Sequence, residues 1–262
     1  MIRIIKNLAN PPSSLIIPHS KKQNPRKRNT THKKRLEIID NKKYVDNKNY
    51  NSRYKLNDVR EALLKIYNHK CAYCEQRIEQ YHVDHFRPKS IYYWLAFSWD
   101  NLLISCPKCN ENKGKKFDID GKRIVFDSNE NNLTFLNKSS VKYDLIEKPK
   151  MINPERVDIS NKICFQVSGK IFSSNKNFGY TIESCGIDRK DLNDQRRKII
   201  DDFERDITSI KKEFKKNEDK CKEYETIIRK FIRDSKCNSN EFLAFRNFAI
   251  KNDWLRDIIL KK

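Results

Sequence analysis

Two cysteine pairs with the same CxxC spacing constrain this chain more than any other feature of its sequence. The pairs are Cys71/Cys74 and Cys106/Cys109, and they enclose residues 75–105. Zinc takes four tetrahedral ligands, and two pairs of thiolates supply them. Such pairs are typical of metal ligands rather than disulfides in a chain without an export signal. We therefore predict one structural zinc ion, because four cysteine ligands leave no open coordination position for catalysis.

The composition excludes a membrane-spanning protein and favours a polyanionic partner. No apolar run approaches the roughly 20 residues that a membrane span needs, so we expect no membrane partner. Prolines interrupt the apolar residues near the N-terminus, so we expect no signal peptide and a cytoplasmic location. The net charge of +21 is typical of a protein that binds nucleic acid. Because an A/T-rich coding sequence also enriches lysine, the charge favours nucleic acid only modestly.

Hydrophobic periodicity divides the chain into four segments. They are a basic N-terminal part (1–55), a core that holds the cysteine pairs (56–120), short strands and loops (121–185) and a C-terminal helical lobe (186–262). The lysine- and arginine-rich run at 21–35 is either a solvated arm or an arm that follows phosphates. We expect a helix from Asp58, capped by Asp58 with Glu61, that runs into Cys71. Residues 123–126 predict a strand.

The chain between and after the cysteine pairs predicts the order strand, loop, strand, helix. The first strand lies in YHVDHFRPKS and is ended by Pro88. The second strand lies in SWDNLLIS, directly before Cys106, and a helix follows. One zinc ion on the four cysteines would therefore hold both ends of a ββα unit.

Polar residues inside this unit supply the groups that phosphodiester hydrolysis requires. The reaction needs a base to activate water, a divalent cation and a group that aims the base. Asp84 and His85 are adjacent, so on a strand they point to opposite faces and can serve different tasks. Asp84 and Asn110 offer oxygen atoms that suit a hard cation such as Mg²⁺ or Mn²⁺. His82 shares a strand face with Asp84, where it either touches substrate or makes a structural hydrogen bond.

Four basic side chains near this unit are candidate phosphate contacts. Lys113 and Lys116 follow the second cysteine pair, and Arg87 and Lys89 flank Pro88. A solvated surface position is the alternative for Arg87 and Lys89. We predict that the four bind the substrate backbone.

Three stretches, CAYCEQRI, HVDHFRPKS and SWDNLLISCPKCNENKGKKF, resemble the HNH nucleases. The resemblance is narrower to the PtuB-like HNH proteins of the retron-associated and Septu anti-phage systems. Weaker similarity extends to MIRIIKNLANPPSSL, EKPKMINPER and TIESCGIDRKDLNDQR, so that most of the chain is covered. The resemblance implies an α+β fold: a zinc-stapled, treble-clef-like ββα-metal core in a mainly helical protein with a C-terminal helical lobe.

The same resemblance implies roles for four residues. His85 matches the general base and Asp84 the metal ligand beside it. Asn101 matches the central asparagine that braces the loop and orients the base, and Asn110 matches the second metal ligand. The subgroup often has glutamate in place of Asp84, and many HNH proteins have histidine in place of Asn110. The implied partners are DNA or RNA, a PtuA-like ATPase and, in retron systems, a reverse transcriptase with its RNA–DNA product.

A second interpretation is a zinc-knuckle module that binds nucleic acid without catalysis. It explains the charge and the cysteines equally well. Binding alone does not require Asp84, His85, Asn101 and Asn110 at their spacings, so we favour the nuclease. The sequence does not distinguish DNA from RNA as the target.

Overall fold

This computed structural model describes residues 1, 3–17, 30–127, 133–159 and 161–261. Most of the predicted basic arm at 21–35 therefore lies outside the described residues. Described residues of that run belong to helix α1 (Thr30–Asp40), which is followed by the single turn α2 (Lys48–Asn51).

Helix α3 (Asn57–Ile66) forms where the apolar spacing predicts it, but it ends at Ile66 and does not run into Cys71 as predicted, because Asn68 and His69 adopt positive φ angles. Val59 and Leu63 are one turn apart and both are buried. The predicted capping box is wrong, because Leu56 is the N-cap and no side chain caps the helix. The Asp58 carboxylate instead accepts hydrogen bonds from the backbone and side chain of Ser14 and from Ser13, and so ties the N-terminal segment to α3.

The segment that contains the cysteine pairs follows the predicted order of elements. Strand β1 (His82–His85) pairs antiparallel with β2 (Leu102–Ser105), and helix α4 (Pro107–Lys113) follows at once. All four residues of β2 are buried, so its sequence LLIS is nearly continuously apolar instead of alternating. Helix α4 begins with a proline at its first position, which suits the start of a helix. Its N-cap is Cys106, whose sulfur accepts a hydrogen bond from the Cys109 N–H.

The segment at 121–185 is more helical than predicted. It contains α5 (Ser139–Glu147) and α6 (Lys176–Ser184) beside a short hairpin, β3 (Cys164–Phe165) with β4 (Ile171–Phe172). Residues 123–126 do not form a strand. Helix α5 escapes pattern recognition because it buries polar side chains and exposes apolar ones, including Leu145, which is 81% exposed.

The C-terminal lobe is helical, as predicted. Its helices are α7 (Lys190–Glu213), α8 (Asn217–Lys236), α9 (Leu243–Lys251) and α10 (Trp254–Leu260). The buried stripe of α7 includes Ile200, Phe203 and Ile207, which step by three or four residues. Asp253 adopts a left-handed conformation between α9 and α10 and so separates the two helices. Among the described residues, every helix is too short or too polar to cross a membrane.

Candidate active site

The four paired cysteines form one buried cluster. The sulfur atoms of Cys71, Cys74, Cys106 and Cys109 all lie within 4.8 Å of one another, and those of Cys74 and Cys106 are 3.9 Å apart. Tetrahedral zinc with bonds of about 2.3 Å places its sulfur ligands about 3.8 Å apart. The predicted cluster is confirmed, and its chemistry and spacing fit a zinc ion.

An arginine at the N-terminal end of helix α7 faces this cluster, a contact that no spacing in the sequence predicts. The Arg189 guanidinium donates to the sulfur of Cys109 at 3.4 Å and to that of Cys106 at 3.9 Å. Hydrogen bonds from the thiols of Cys109, Cys71 and Cys74 hold the pKa of Cys106 well below its ordinary value. The positive charge of Arg189 favours thiolates at Cys109 and Cys106, and the thiolate is the form that binds zinc.

Three of the four predicted catalytic residues line one cavity of about 430 Å³. They are Asp84 and His85 on β1 and Asn110 on α4. Lys55, Lys89 and Lys115 line the same cavity, so its wall carries more positive than negative side chains. The cavity therefore combines an acid–base group, oxygen donors for a cation and charges that suit phosphate.

A second cavity has a similar volume but different chemistry. It encloses about 450 Å³ between the N-terminal residues and α9, and it includes Arg3, Phe165 and Lys251. No histidine lines it. We therefore place the candidate active site in the cavity that contains His85.

The His85 ring is held in one tautomer. Its Nε2 lies 2.9 Å from the carbonyl oxygen of Ala96, and a carbonyl only accepts, so Nε2 carries the proton. Nδ1 has no hydrogen-bond partner among the described residues and is left as the basic nitrogen. The edge-to-face contact with Tyr54 places the ring centroids 4.6 Å apart. Burial lowers the pKa of His85 to about 3, so the imidazole is neutral at physiological pH.

The Asp84 carboxylate accepts one hydrogen bond on each oxygen. The Tyr73 hydroxyl donates to Oδ2 at 2.7 Å, and the Lys113 ammonium donates to Oδ1 at 3.2 Å. Lys113 also donates to the backbone carbonyl of His85 at 2.6 Å. A carboxylate offers about four lone-pair positions, so each oxygen can still ligate a cation. The donor set fits a hard divalent ion.

Asn101 braces the loop between β1 and β2. Its Oδ1 accepts from the Arg87 N–H at 2.7 Å, and its Nδ2 donates to the carbonyl oxygens of Arg87 and Leu95. Leu95 precedes Ala96, the residue whose carbonyl holds His85. Asn101 itself is completely buried and does not line the cavity.

Asn110 pairs with His82 at the rim of the cavity. The Asn110 Nδ2 lies 3.0 Å from Nδ1 of His82, which leaves the amide oxygen for another partner. His82 and Asp84 both line the cavity. The structural hydrogen bond considered for His82 is therefore present.

Two of the predicted phosphate contacts are buried instead. Arg87 is 0% exposed, and its guanidinium pairs with Glu147 at 2.9 Å and Asp144 at 2.7 Å. Lys113 is also 0% exposed and pairs with Asp84. The prediction that Arg87 and Lys113 contact substrate is not supported, because carboxylates from the protein itself neutralise both charges.

The other two predicted contacts remain accessible. Lys89 is half-buried at the cavity wall, where its ammonium donates to Asn51 and Tyr54 and lies 4.2 Å from the Tyr44 ring centre. Lys116 is exposed beyond the end of α4. Lys89 is thus the predicted basic residue placed closest to the candidate chemistry, since it alone of the four lines the cavity.

One segment of the chain matches a known protein family. Residues 71–116 match the HNH endonuclease family, a segment that holds all four clustered cysteines together with Asp84, His85, Asn101 and Asn110. This segment of the chain is therefore similar to HNH endonucleases. This finding agrees with the mixed helical and sheet architecture and with the cysteine cluster.

The chain is also similar to proteins that carry Septu names. It is 32% identical over 169 residues to the Septu protein PtuB of Bacillus mycoides (strain KBAB4), which covers 58% of this chain and 54% of that protein. A Septu protein PtuB of Bacillus thuringiensis is 45% identical over 60 residues, 21% of this chain and 23% of that protein. The Septu protein PtuA of Bacillus mycoides is 24% identical over 167 residues, 58% of this chain and 22% of that protein. The chain therefore spans about half the length of the first relative.

Proposed function

We propose that this chain is a metal-dependent HNH endonuclease that hydrolyses phosphodiester bonds of nucleic acid. The observation that carries the proposal is the meeting of Asp84, His85 and Asn110 at one cavity within the segment that matches the HNH family. Asp84 and Asn110 hold the catalytic Mg²⁺ or Mn²⁺, and the four cysteines hold a structural zinc ion.

His85 acts as the general base. Its neutral Nδ1 takes a proton from water while the water oxygen attacks phosphorus and the bond to the departing 3′-oxygen breaks. The departing oxygen takes a proton from solvent, and His85 later releases its own proton to solvent. When bound, the divalent cation supplies positive charge opposite the phosphate and the departing oxygen.

Other residues of the cavity position the substrate and the base. Lys55, Lys89 and Lys115 present ammonium groups to the phosphate backbone. Asn101 holds the loop that orients His85 through Ala96. None of these contacts reads a base, so the proposal covers both DNA and RNA substrates.

In the cell, we place this activity in Septu-type anti-phage defence. Relatives named PtuB and PtuA support that setting. The apolar stripes of the C-terminal helices are the element that we expect to dock a PtuA-like ATPase. The relatives carry Septu names, so the retron reverse transcriptase and its RNA–DNA product have no support from them.

Cleavage assays test the proposal directly. Purified protein is incubated with plasmid DNA and with RNA in Mg²⁺ or Mn²⁺, alone and with the PtuA-like partner, and then with EDTA. We expect cutting that EDTA abolishes and that His85→Ala abolishes without loss of zinc or of helical circular dichroism. Tight binding with no cutting under any of these conditions would instead identify the non-catalytic zinc-knuckle module.

A further inference from the structure

The two donors that hold Asp84 come from the two cysteine-bearing segments. Tyr73 lies inside the first CxxC pair, between Cys71 and Cys74, and Lys113 ends the helix that begins after Cys106. Both side chains are 0% exposed. The orientation of one carboxylate is therefore set from both sides of the cysteine cluster.

Burial makes the Tyr73 hydroxyl a costly group unless it is bonded. A hydroxyl removed from water without a partner destabilises the folded protein. Its acceptor is Asp84 Oδ2 at 2.7 Å, a charge-assisted and therefore strong bond. Phenylalanine would fill nearly the same space without that requirement. The hydroxyl thus has a specific task that packing alone does not explain.

The contact has a directional consequence for Asp84. Lys113 occupies one position on Oδ1 and Tyr73 one position on Oδ2, so both oxygens are fixed in space. The Asp84 side chain lines the cavity beside Asn110. A carboxylate held at both oxygens presents its remaining lone pairs in one direction, which lowers the entropy lost when it ligates a cation.

We propose that Tyr73 is a positioning residue for the divalent-cation site: its hydroxyl holds the Asp84 carboxylate in the orientation that binds the ion. The inference rests on the proposed function, because it assumes that Asp84 is a cation ligand. It extends that function, because Tyr73 lies between the two cysteines of the first pair. The first cysteine pair therefore also supports the divalent-cation site. Groups that bond a metal-ligating carboxylate typically contribute about 10–100-fold to metal affinity or activity.

The test is a Mn²⁺ titration of the zinc-loaded full chain by calorimetry and electron paramagnetic resonance. Tyr73→Phe should raise the Mn²⁺ dissociation constant about tenfold or more. The Mn²⁺ concentration that gives half-maximal cleavage should rise by the same factor, and saturating Mn²⁺ should restore the rate.

The matched control is Tyr67→Phe. Tyr67 is also buried, and its hydroxyl donates to the buried carboxylate of Glu155, which does not line the cavity. This variant should lose comparable thermal stability and keep its Mn²⁺ affinity within twofold of wild type. A purely structural role for tyrosine hydroxyls would make the two variants behave alike.

Three results would overturn the inference. The first is a Mn²⁺ affinity of Tyr73→Phe within twofold of wild type, and the second is an equal loss of Mn²⁺ affinity in Tyr67→Phe. The third is a loss of zinc or of folding in Tyr73→Phe, which would assign the hydroxyl to the cysteine cluster. Failure of the proposed function is distinguishable: wild-type protein would then bind no Mn²⁺ at the cavity, or would bind it and cut nothing.

Discussion

The carbonyl oxygen of Ala96 accepts a hydrogen bond from Nε2 of His85 at 2.9 Å. Ala96 belongs to the loop between the two strands of the core, so the base depends on the position of that loop. Asn101 bonds the loop at Arg87 and at Leu95. The base is thus oriented through the backbone, by a side chain that does not itself reach the cavity.

Asn101→Ala should therefore reduce kcat by about a hundredfold, because small displacements of a reacting group have effects of that size. The KM for nucleic acid and the zinc content should change little. Single-turnover cleavage measures the effect. Asn193→Ala is a matched control, since Asn193 is also buried and bonds the Asp188 carbonyl and the Arg196 guanidinium, both outside this loop. Equal losses of kcat in both variants would contradict this role of Asn101.

Lys89 and Arg87 flank Pro88 but should respond differently to truncation. Lys89→Met removes a charge from the cavity wall, so nucleic-acid binding should weaken. The slope of log affinity against log salt concentration should decrease by about one, the value of one phosphate contact. Arg87→Met leaves the carboxylate of Glu147 buried without its partner, which typically costs about 3–5 kcal/mol of stability.

Binding isotherms at several salt concentrations and thermal denaturation separate the two effects. We expect Lys89→Met to keep its melting temperature within a few degrees and Arg87→Met to lose far more. A reduced salt slope in a folded Arg87→Met protein would restore Arg87 to the phosphate contacts.

Local spacing explains why much of the site could be predicted. The CxxC pairs place two thiols on one turn, and the geometry of zinc then requires the pairs to meet. Asp84 and His85 are neighbours in sequence, and Asn110 directly follows the last cysteine. Each of these relationships is short in sequence or, for the two cysteine pairs, is required by the zinc ion that we predict they share.

Long-range charge pairing explains what could not be predicted. Arg87 and Lys113 look like surface residues, because charged side chains are rarely buried without partners. The partners of Arg87 lie on α5, a helix that sequence periodicity misses because its buried face is polar. The contact of Arg189 with the cysteine sulfurs could not be predicted for the same reason, because Arg189 and Cys109 are 80 residues apart in sequence.

Arg189 should support zinc binding from outside the ligand set. Arg189→Ala removes the cation that bonds the sulfurs of Cys109 and Cys106, and loss of such a contact typically weakens metal affinity about tenfold or more. Competition with a chromogenic chelator measures the zinc dissociation constant. Arg197→Ala is the control, because Arg197 lies on the same helix and pairs with Asp201 and Glu204 instead. Equal zinc affinities in the two variants would refute the role.

Asp100 gives the fold a pH dependence of its own. The carboxyl is 1% exposed, and its Oδ2 accepts from the Ser140 N–H. Burial raises the pKa of Asp100 from 3.8 to about 6, against the opposing effects of Arg156, the Ser140 N–H and Lys6. Because the folded pKa is the higher one, ionisation costs no stability well below pH 3.8 and costs about 3 kcal/mol once the pH exceeds the folded pKa.

The free energy of unfolding of Asp100→Asn, relative to that of wild type, should therefore increase as the pH rises. The amide is neutral at every pH and keeps an acceptor for the Ser140 N–H, so it avoids the cost of burying a charge. Between pH 5 and pH 8 the difference in unfolding free energy, variant minus wild type, should shift by roughly 1.5 kcal/mol in favour of the variant. Urea denaturation at both pH values measures it. Asp120→Asn, at a side chain that is 56% exposed, should show no such shift. A difference that stays constant for Asp100→Asn would mean that the carboxyl titrates in the folded protein as it does in water.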